Sequence, residues 1–221
     1  MKVVAVMTRS PAAPASTIKT RLAPVLPDPE QRRAFHAASL TDTITAARGV
    51  EGALVRVAAT PDGSADDFRA VGVAPGHVFA QRGDDLGARE QAVFRHLFAH
   101  GARQVVLIGS DIPTITAELL TRAFEALDEQ PQRVVLGPAA DGGYYLLGLT
   151  GPQVPDLFSG VRWSTCYTLA DTIRRCEFEN RRVALLDVLE DVDTLEAFAR
   201  LRVRLAADPS LAPATAAAIC G

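Results

Sequence analysis

Cysteine is scarce in this chain, with three residues among 221. Cys166, Cys176 and Cys220 are odd in number and no two stand at a metal-binding spacing, which excludes a disulfide framework and a cysteine-bound zinc. The four histidines form no zinc pattern either. His96 and His100 lie four apart on an expected helix, with no acidic third ligand beside them. Long apolar runs are also missing. No stretch approaches the roughly 18 residues of a membrane span, and "MKVVAVMTRS" lacks the apolar core and cleavage site of a secretory leader. A cytoplasmic location with no membrane partner is expected. Positive charge is not in excess: the formal net charge of −3 excludes a general affinity for nucleic acid, so any attraction to polyanions must be local. Aromatic residues make up only 6%, and no exposed apolar stripe is evident, which favours a monomer or homodimer.

What the chain does have is core. Hydrophobic residues are 48% and charged residues 22%, the balance of a globular protein of one domain. Short apolar runs alternate with amphipathic stretches. Strands are expected at Lys2–Met7, Ala53–Thr60, His77–Gln81, Gln104–Gly109, "RVVLGP", "GYYLLGL" and "RVALL". Helices are expected from Asp28, an N-cap followed by Pro29, to Gly49; from Gly87 to His100; from the cap Thr116 to Leu127; from after Thr165 to Cys176; and from Thr194 to Leu205. Such alternation implies a single-domain, Rossmann-like α/β fold with a mainly parallel, mixed sheet and helices on both faces. The domain is expected to end near residue 205. The Ala/Pro-rich stretch 206–221 reads as a loosely attached C-terminal tail.

In open α/β sheets, ligands bind beyond the carboxyl ends of the strands, and polar residues collect there. Asp111 stands two residues past "VVLIG" and suits a hard divalent cation; capping the next helix is the alternative, against which Pro113 and Thr116 argue. Asp191 and Asp193 alternate in "EDVDT", so their carboxylates point one way and could share a metal with Asp111. Asp193 could equally cap the following helix. In "AADGGYY", Asp141 with Gly142 and Gly143 reads as a hairpin turn or as a close backbone approach to ligand. "GDDLGAR" offers Asp85, Gly87 and Arg89 as either a capped helix start or a contact to base or ribose. Arg9, Lys19 and Arg21 follow the first strand in a loop without glycine, so this is no P-loop. Two cations beside candidate metal carboxylates suit a polyphosphate, Lys as a point charge and Arg as a fork.

Taken in order, "IKTRLAP", "GDDLGAR", "LIGSDIP", "GPAADGGYYLLGL", "WST" and "DVDT" resemble a bacterial glycosyltransferase-like family, often associated with radical-SAM or selenium-related genes. It belongs to the nucleotide-diphospho-sugar transferase superfamily and is similar to phospholactate guanylyltransferase. The resemblance runs from about Lys2 to Leu201. It implies a GT-A-like fold, a Mg2+ or Mn2+ held by Asp111 and the "DVDT" acids, and a loop ending in Lys19 and Arg21 over nucleotide phosphates. The family's loop carries a glycine before its Lys-Thr-Arg; "PAAPASTIK" has none.

Two enzymatic readings follow. A nucleotidylyltransferase would join a nucleoside monophosphate from a nucleoside triphosphate to a small phosphate, phosphonate or carboxylate metabolite, releasing pyrophosphate. A glycosyltransferase would use a nucleotide-sugar, with Asp141 as base for the acceptor hydroxyl. The pair Lys19 and Arg21 favours the first, because a triphosphate tail needs more cations. A non-catalytic nucleotide-binding protein is the third reading.

Overall fold

Valine and alanine fill β1 (Lys2–Arg9) without polar alternation, and its middle residues are buried on both sides. That pattern belongs to a central strand covered by helices on both faces. The computed structural model describes residues 1–130 and 132–220. In it, β1 pairs in parallel with β2 (Ala53–Thr60) on one side and β4 (Gln104–Gly109) on the other. The short β3 (Val78–Ala80) extends the sheet beyond β2. Beyond β4, β6 (Tyr144–Thr150) runs antiparallel between β4 and β5 (Val134–Pro138), and β7 (Val183–Leu185) pairs in parallel with β5. The order is β3-β2-β1-β4-β6-β5-β7, with β6 alone reversed. The carboxyl ends of the other strands and the β5–β6 turn therefore share one edge. The chain leaves β1 toward β2 but returns to β1's other side with β4, which opens a crevice between the ends of β1 and β4.

The helices begin where local chemistry predicts. Asp28 Oδ1 accepts from the Glu30 amide at 2.9 Å to open α1 (Pro29–Arg48). Asp85 caps α2 (Leu86–Ala99), Thr116 caps α3 (Ala117–Glu129) and Thr194 caps α5 (Leu195–Ala207) through their side-chain oxygens. The helix α4 (Thr168–Phe178) has no side-chain cap. Helices α1 and α3 cover one face of the sheet, packing Leu40, Ile44, Leu120 and Phe124. The other face takes Val93, Phe94 and Leu97 of α2 and Cys176 of α4. The expected strand His77–Gln81 is shorter because Pro75–His77 form a 3-10 turn. Gln81 instead uses its side-chain amide to donate to the carbonyls of Thr8 and Ala58 at 2.9 and 2.8 Å, stitching the strand ends together.

The stretch after residue 205 differs from the loosely attached tail expected. It forms α6 (Pro213–Cys220), which lies on α1. Ala212, Ala216 and Leu205 are buried in a cluster with Phe35 and Phe198. Asp42 explains the docking. Its carboxylate is buried on α1 and accepts from the Ala214 and Thr215 amides at 3.0 and 2.8 Å and from Thr215 Oγ1 at 2.7 Å. It thereby satisfies the first amides of α6 and sits at the positive end of that helix. Alanine composition concealed this, because the partner lies 172 positions away. Asp42→Ala is expected to cost about 2 kcal/mol in urea unfolding, because it strands buried donors, and to speed amide exchange across α6.

Candidate functional site

The loop after β1 is pinned rather than mobile. Ile18 and Leu22 are buried, and the buried Arg32 of α1 donates to the carbonyls of Ile18, Leu26 and Pro27. Two short 3-10 segments, Ala15–Thr17 and Thr20–Leu22, flank Lys19, which takes a left-handed backbone with φ of 46°. The bend that a glycine would make easily is made by Lys19 itself, and it turns the side chain inward.

There Lys19 Nζ lies 2.7 Å from Asp111 Oδ1 and donates to Asp193 Oδ1 at 2.7 Å and to the Val192 carbonyl at 2.9 Å. The Val192 amide in turn donates to the Asp111 carbonyl at 2.9 Å, which ties the "DVDT" segment to the end of β4. Neither aspartate caps a helix: Thr116 and Thr194 fill those positions. The Lys19 side chain is 6% exposed, whereas those of Asp111 and Asp193 are 42% and 36% exposed. The ammonium is enclosed and the carboxylates present open faces. Burial pushes the Lys19 ammonium down, but Asp111 and Asp193 together raise it above its ordinary value. Burial likewise pushes the Asp111 carboxyl up, and Lys19, then His36 and Arg9, hold it below the usual carboxylate range.

Two cavities meet at this pair. The first, of about 610 Å³, lies over the ends of β1 and β2 and is lined by Arg9, Lys19, Arg21, Arg89, His36 and the β2-end residue Thr60. The second, of about 470 Å³, lies over β4 and β6 against Leu107, Ile112, Tyr144 and Trp163. Arg21, Ser110, Asp111 and Asp193 line both. Arg9 and Arg21 are exposed, and among the described residues neither makes an ion pair. Ser110 is fixed by Thr8 Oγ1 at 2.9 Å and gives its carbonyl to Ser39 Oγ at 2.7 Å.

The structure separates residues that the sequence grouped. Asp191 does not join Asp111 and Asp193 around one point. It faces the second cavity, where burial and then the neighbouring Asp141 and Asp193 push its carboxyl up. Among the described residues no three carboxylate, histidine or cysteine side chains are placed to enclose a metal; the Lys19 ammonium occupies the point between the two that converge. Asp85 and Gly87 line neither cavity. The Asp85 carboxylate is spent on the Ala88 amide at 2.7 Å, and a side chain at Gly87 would collide with the Trp163 indole. Gly142 likewise serves the turn: its φ is 89°, and a Cβ there would strike the Cys166 carbonyl. Gly143 donates to Asp141 Oδ1 at 2.8 Å and lines the second cavity with it. Arg89 lines the first cavity and donates to the Gly83 carbonyl at 3.0 Å.

Glu90 was missed, although it is the most unusual group of the site. It is 7% exposed, lines the second cavity, and accepts from Tyr144 Oη at 2.6 Å through Oε2. Burial raises its carboxyl to about 7, against the smaller lowering effect of Tyr144. A signal existed: Glu90 falls on the stripe of Val93, Phe94 and Leu97 at helical spacing, so a charge stands where a core residue belongs. Tyr145 points the other way and donates to the Asp187 carbonyl at 2.9 Å.

With the geometry in hand, the fold has clear relatives. A protein from Desulfovibrio desulfuricans G20, provisionally assigned as a nucleotide-diphospho-sugar transferase, superposes with a TM-score of 0.85 at 27% identity over 96% of this chain and 93% of its own. CMP:2-keto-3-deoxy-manno-octonic acid synthetase, solved with CTP, gives 0.59 at 15% identity, covering 94% of this chain and 100% of its own. A cytidylyltransferase from Leptospira borgpetersenii serovar Hardjo-bovis (strain JB197) gives 0.55 at 15% identity, covering 96% of each. These likenesses establish a GT-A-like nucleotide-diphospho-sugar transferase fold. No curated protein matches the chain significantly in sequence. No helix among the described residues is long and apolar enough to cross a membrane. From the middle of α1 to the turn after Trp163, at residues 43–165, the sequence carries the signature of the uncharacterized bacterial proteins grouped as DUF2064, and the chain belongs to that family.

Proposed function

We propose that the protein is a nucleotide-dependent transferase that moves a nucleoside monophosphate from a nucleoside triphosphate to a small acceptor and releases pyrophosphate. The observation that carries this reading is the first cavity: Arg9, Lys19, Arg21 and Arg89 line a space of about 610 Å³ that opens onto two carboxylates. That size suits a nucleotide, and the cations suit its phosphate tail. The Desulfovibrio relative's assignment agrees with nucleotide use.

In this reading Arg9, Arg21 and Arg89 hold the phosphates, and Asp111 and Asp193 mark the junction where the two substrates meet. The acceptor oxygen forms its bond to the α-phosphorus while the bond from that phosphorus to the pyrophosphate oxygen breaks. Arg21, facing both cavities, steadies the charge that moves onto the leaving pyrophosphate. An acceptor hydroxyl would give its proton to Asp141, which is exposed on the second cavity. The pair Asp111 and Asp193 fits a Mg2+ or Mn2+, since both already converge on one cationic centre and such ions need only one or two carboxylates beside the phosphates. Bound there, the ion would supply positive charge to the phosphate oxygens.

Glycosyl transfer from a nucleotide-sugar is the second reading. It is favoured by Lys19 being folded onto the carboxylates, which leaves fewer cations for phosphates, and by the same Asp141 as base. Calorimetry with magnesium decides: the four nucleoside triphosphates are compared with UDP- and GDP-sugars. One triphosphate is expected to bind best. Arg21→Ala is expected to weaken it about tenfold, the worth of one charge-assisted contact, and to leave the monophosphate nearly unchanged. Preference for a nucleotide-sugar would establish the glycosyl reading instead.

A further inference from the structure

The two cavities share an edge but differ in sign. Four Lys and Arg side chains line the first, against the carboxylates of Asp111 and Asp193. The second is lined by Glu90, Asp111, Asp141, Asp191 and Asp193, with Arg21 its only Lys or Arg among the described residues. Arg21 faces both spaces and is already engaged by the nucleotide in the proposed reaction. Arg162, next to Trp163, is turned away: it donates to Asp171 at 2.7 and 2.9 Å and stacks on Tyr167. With Asp111 and Asp193 paired with Lys19, Asp141 and Asp191 still leave the cavity acidic, and Glu90 adds its charge above about pH 7.

A second feature of the cavity asks for a ligand. Glu90 is more than nine-tenths buried, and Tyr144 satisfies only its Oε2. Among the described residues Oε1 has no hydrogen-bond partner, and the side chain lines the open space. That oxygen is open to the cavity rather than sealed in the core, so a bound molecule that brings an O–H or N–H can take the place of water on it. Beside it, Leu86, Leu107, Ile112 and Trp163 form an apolar wall.

We propose, on the reading that the second cavity receives the acceptor, that this acceptor is an uncharged or cationic alcohol or amino alcohol with an apolar body, and that phosphate, phosphonate and carboxylate compounds are excluded. The anionic acceptors expected from the sequence would face these carboxylates with no cation of their own. A hydroxyl or ammonium donor meets Glu90 Oε1, and the apolar part lies on Trp163. This is selection by repulsion as much as by attraction.

Trp163 is the only tryptophan in the chain, so its emission reports on this cavity alone. The test compares quenching by iodide with quenching by N-methylpyridinium, each normalised to neutral acrylamide, at low ionic strength. The cation is expected to quench at least threefold more efficiently than iodide, and the ratio to fall toward one in Asp141→Asn/Asp191→Asn, which leaves the first cavity's cations in place. Loss of the preference at high salt would agree, because the field is then screened. Equal quenching, or a preference for iodide, in the unaltered protein would overturn the proposal whether or not the double variant folds. The measurement needs no nucleotide. A cation preference without triphosphate binding would sink the transferase reading and leave the selectivity standing; triphosphate binding with an iodide preference would do the reverse.

Discussion

On the proposed reading, Asp111→Asn is expected to lower nucleotidyl transfer by about a thousandfold, as for a group that acts on charge moving in the transition state, while the fold persists. Three observations lead to this expectation. The carboxylate stands at the junction of both cavities. Its side chain is 42% exposed, so asparagine meets no packing conflict. Lys19, the group most affected, keeps Asp193 and the Val192 carbonyl. The stability loss at neutral pH should therefore be about 1 kcal/mol or less. Its pH dependence has a definite sign. Lys19 holds the Asp111 carboxyl below its unfolded value, so the pair contributes stability above the ordinary aspartate range, and that contribution is lost as pH falls through the folded-state value. The deficit of Asp111→Asn should thus be present at pH 7 and vanish in acid. Pyrophosphate release and urea unfolding at two pH values test both halves. Unchanged turnover would remove Asp111 from the chemistry, and gross unfolding would make it a structural residue.

Local chemistry made the frame of this protein legible. Asp28-Pro29, Thr116 and Thr194 announce their helices because a cap acts within three residues of itself. The valine runs of β1 and β4 announce central strands for a similar reason: burial on both faces leaves no polar alternation. Knowing the strand ends was enough to find the edge where Asp111, Asp141 and Asp193 gather. The destinations of side chains were not legible, because they depend on residues distant in sequence. Lys19 suits a phosphate by its place in the sequence, yet its partners Asp111, Val192 and Asp193 all lie far along the chain, the last two 173 and 174 positions on, and nothing local says that its backbone turns left-handed. At Gly87 and Gly142 the sequence leaves a turn or helix start and a close approach to ligand both open; the fold fills the space beside them with Trp163 and Cys166. Strand alternation alone places Tyr144 and Tyr145 of β6 on opposite sides, and they pack into different clusters in the fold. What Tyr144 meets there required the fold.

That meeting of Tyr144 with Glu90 gives the second large effect. Glu90→Gln should stabilise the protein at pH 8 by about 3 kcal/mol relative to its effect at pH 4, from a carboxyl raised from 4.5 to about 7. The sign follows from proton counting. Between pH 4.5 and 7 the unfolded chain has released the Glu90 proton and the folded protein still holds it, so stability falls as pH rises through that window. Above about pH 7 both states are ionised and the loss levels off. Glutamine carries no proton to lose, keeps an oxygen for the Tyr144 hydroxyl, and nearly matches glutamate in volume, so the variant should lack this slope. Urea unfolding of both proteins from pH 4 to 8 measures it, and parallel curves would show that Glu90 ionises freely in the folded state. A natural sequence that places an ionisable acid among Val93, Phe94 and Leu97 gives up stability at neutral pH for it. An apolar residue would pack there without that cost, so the acid is best explained by the cavity it faces: its free oxygen is available to a ligand, and above about pH 7, where Glu90 is ionised, glutamine would trade a strong acceptor for a weak one. Stability gained with acceptor binding lost is therefore the joint outcome expected of this one substitution.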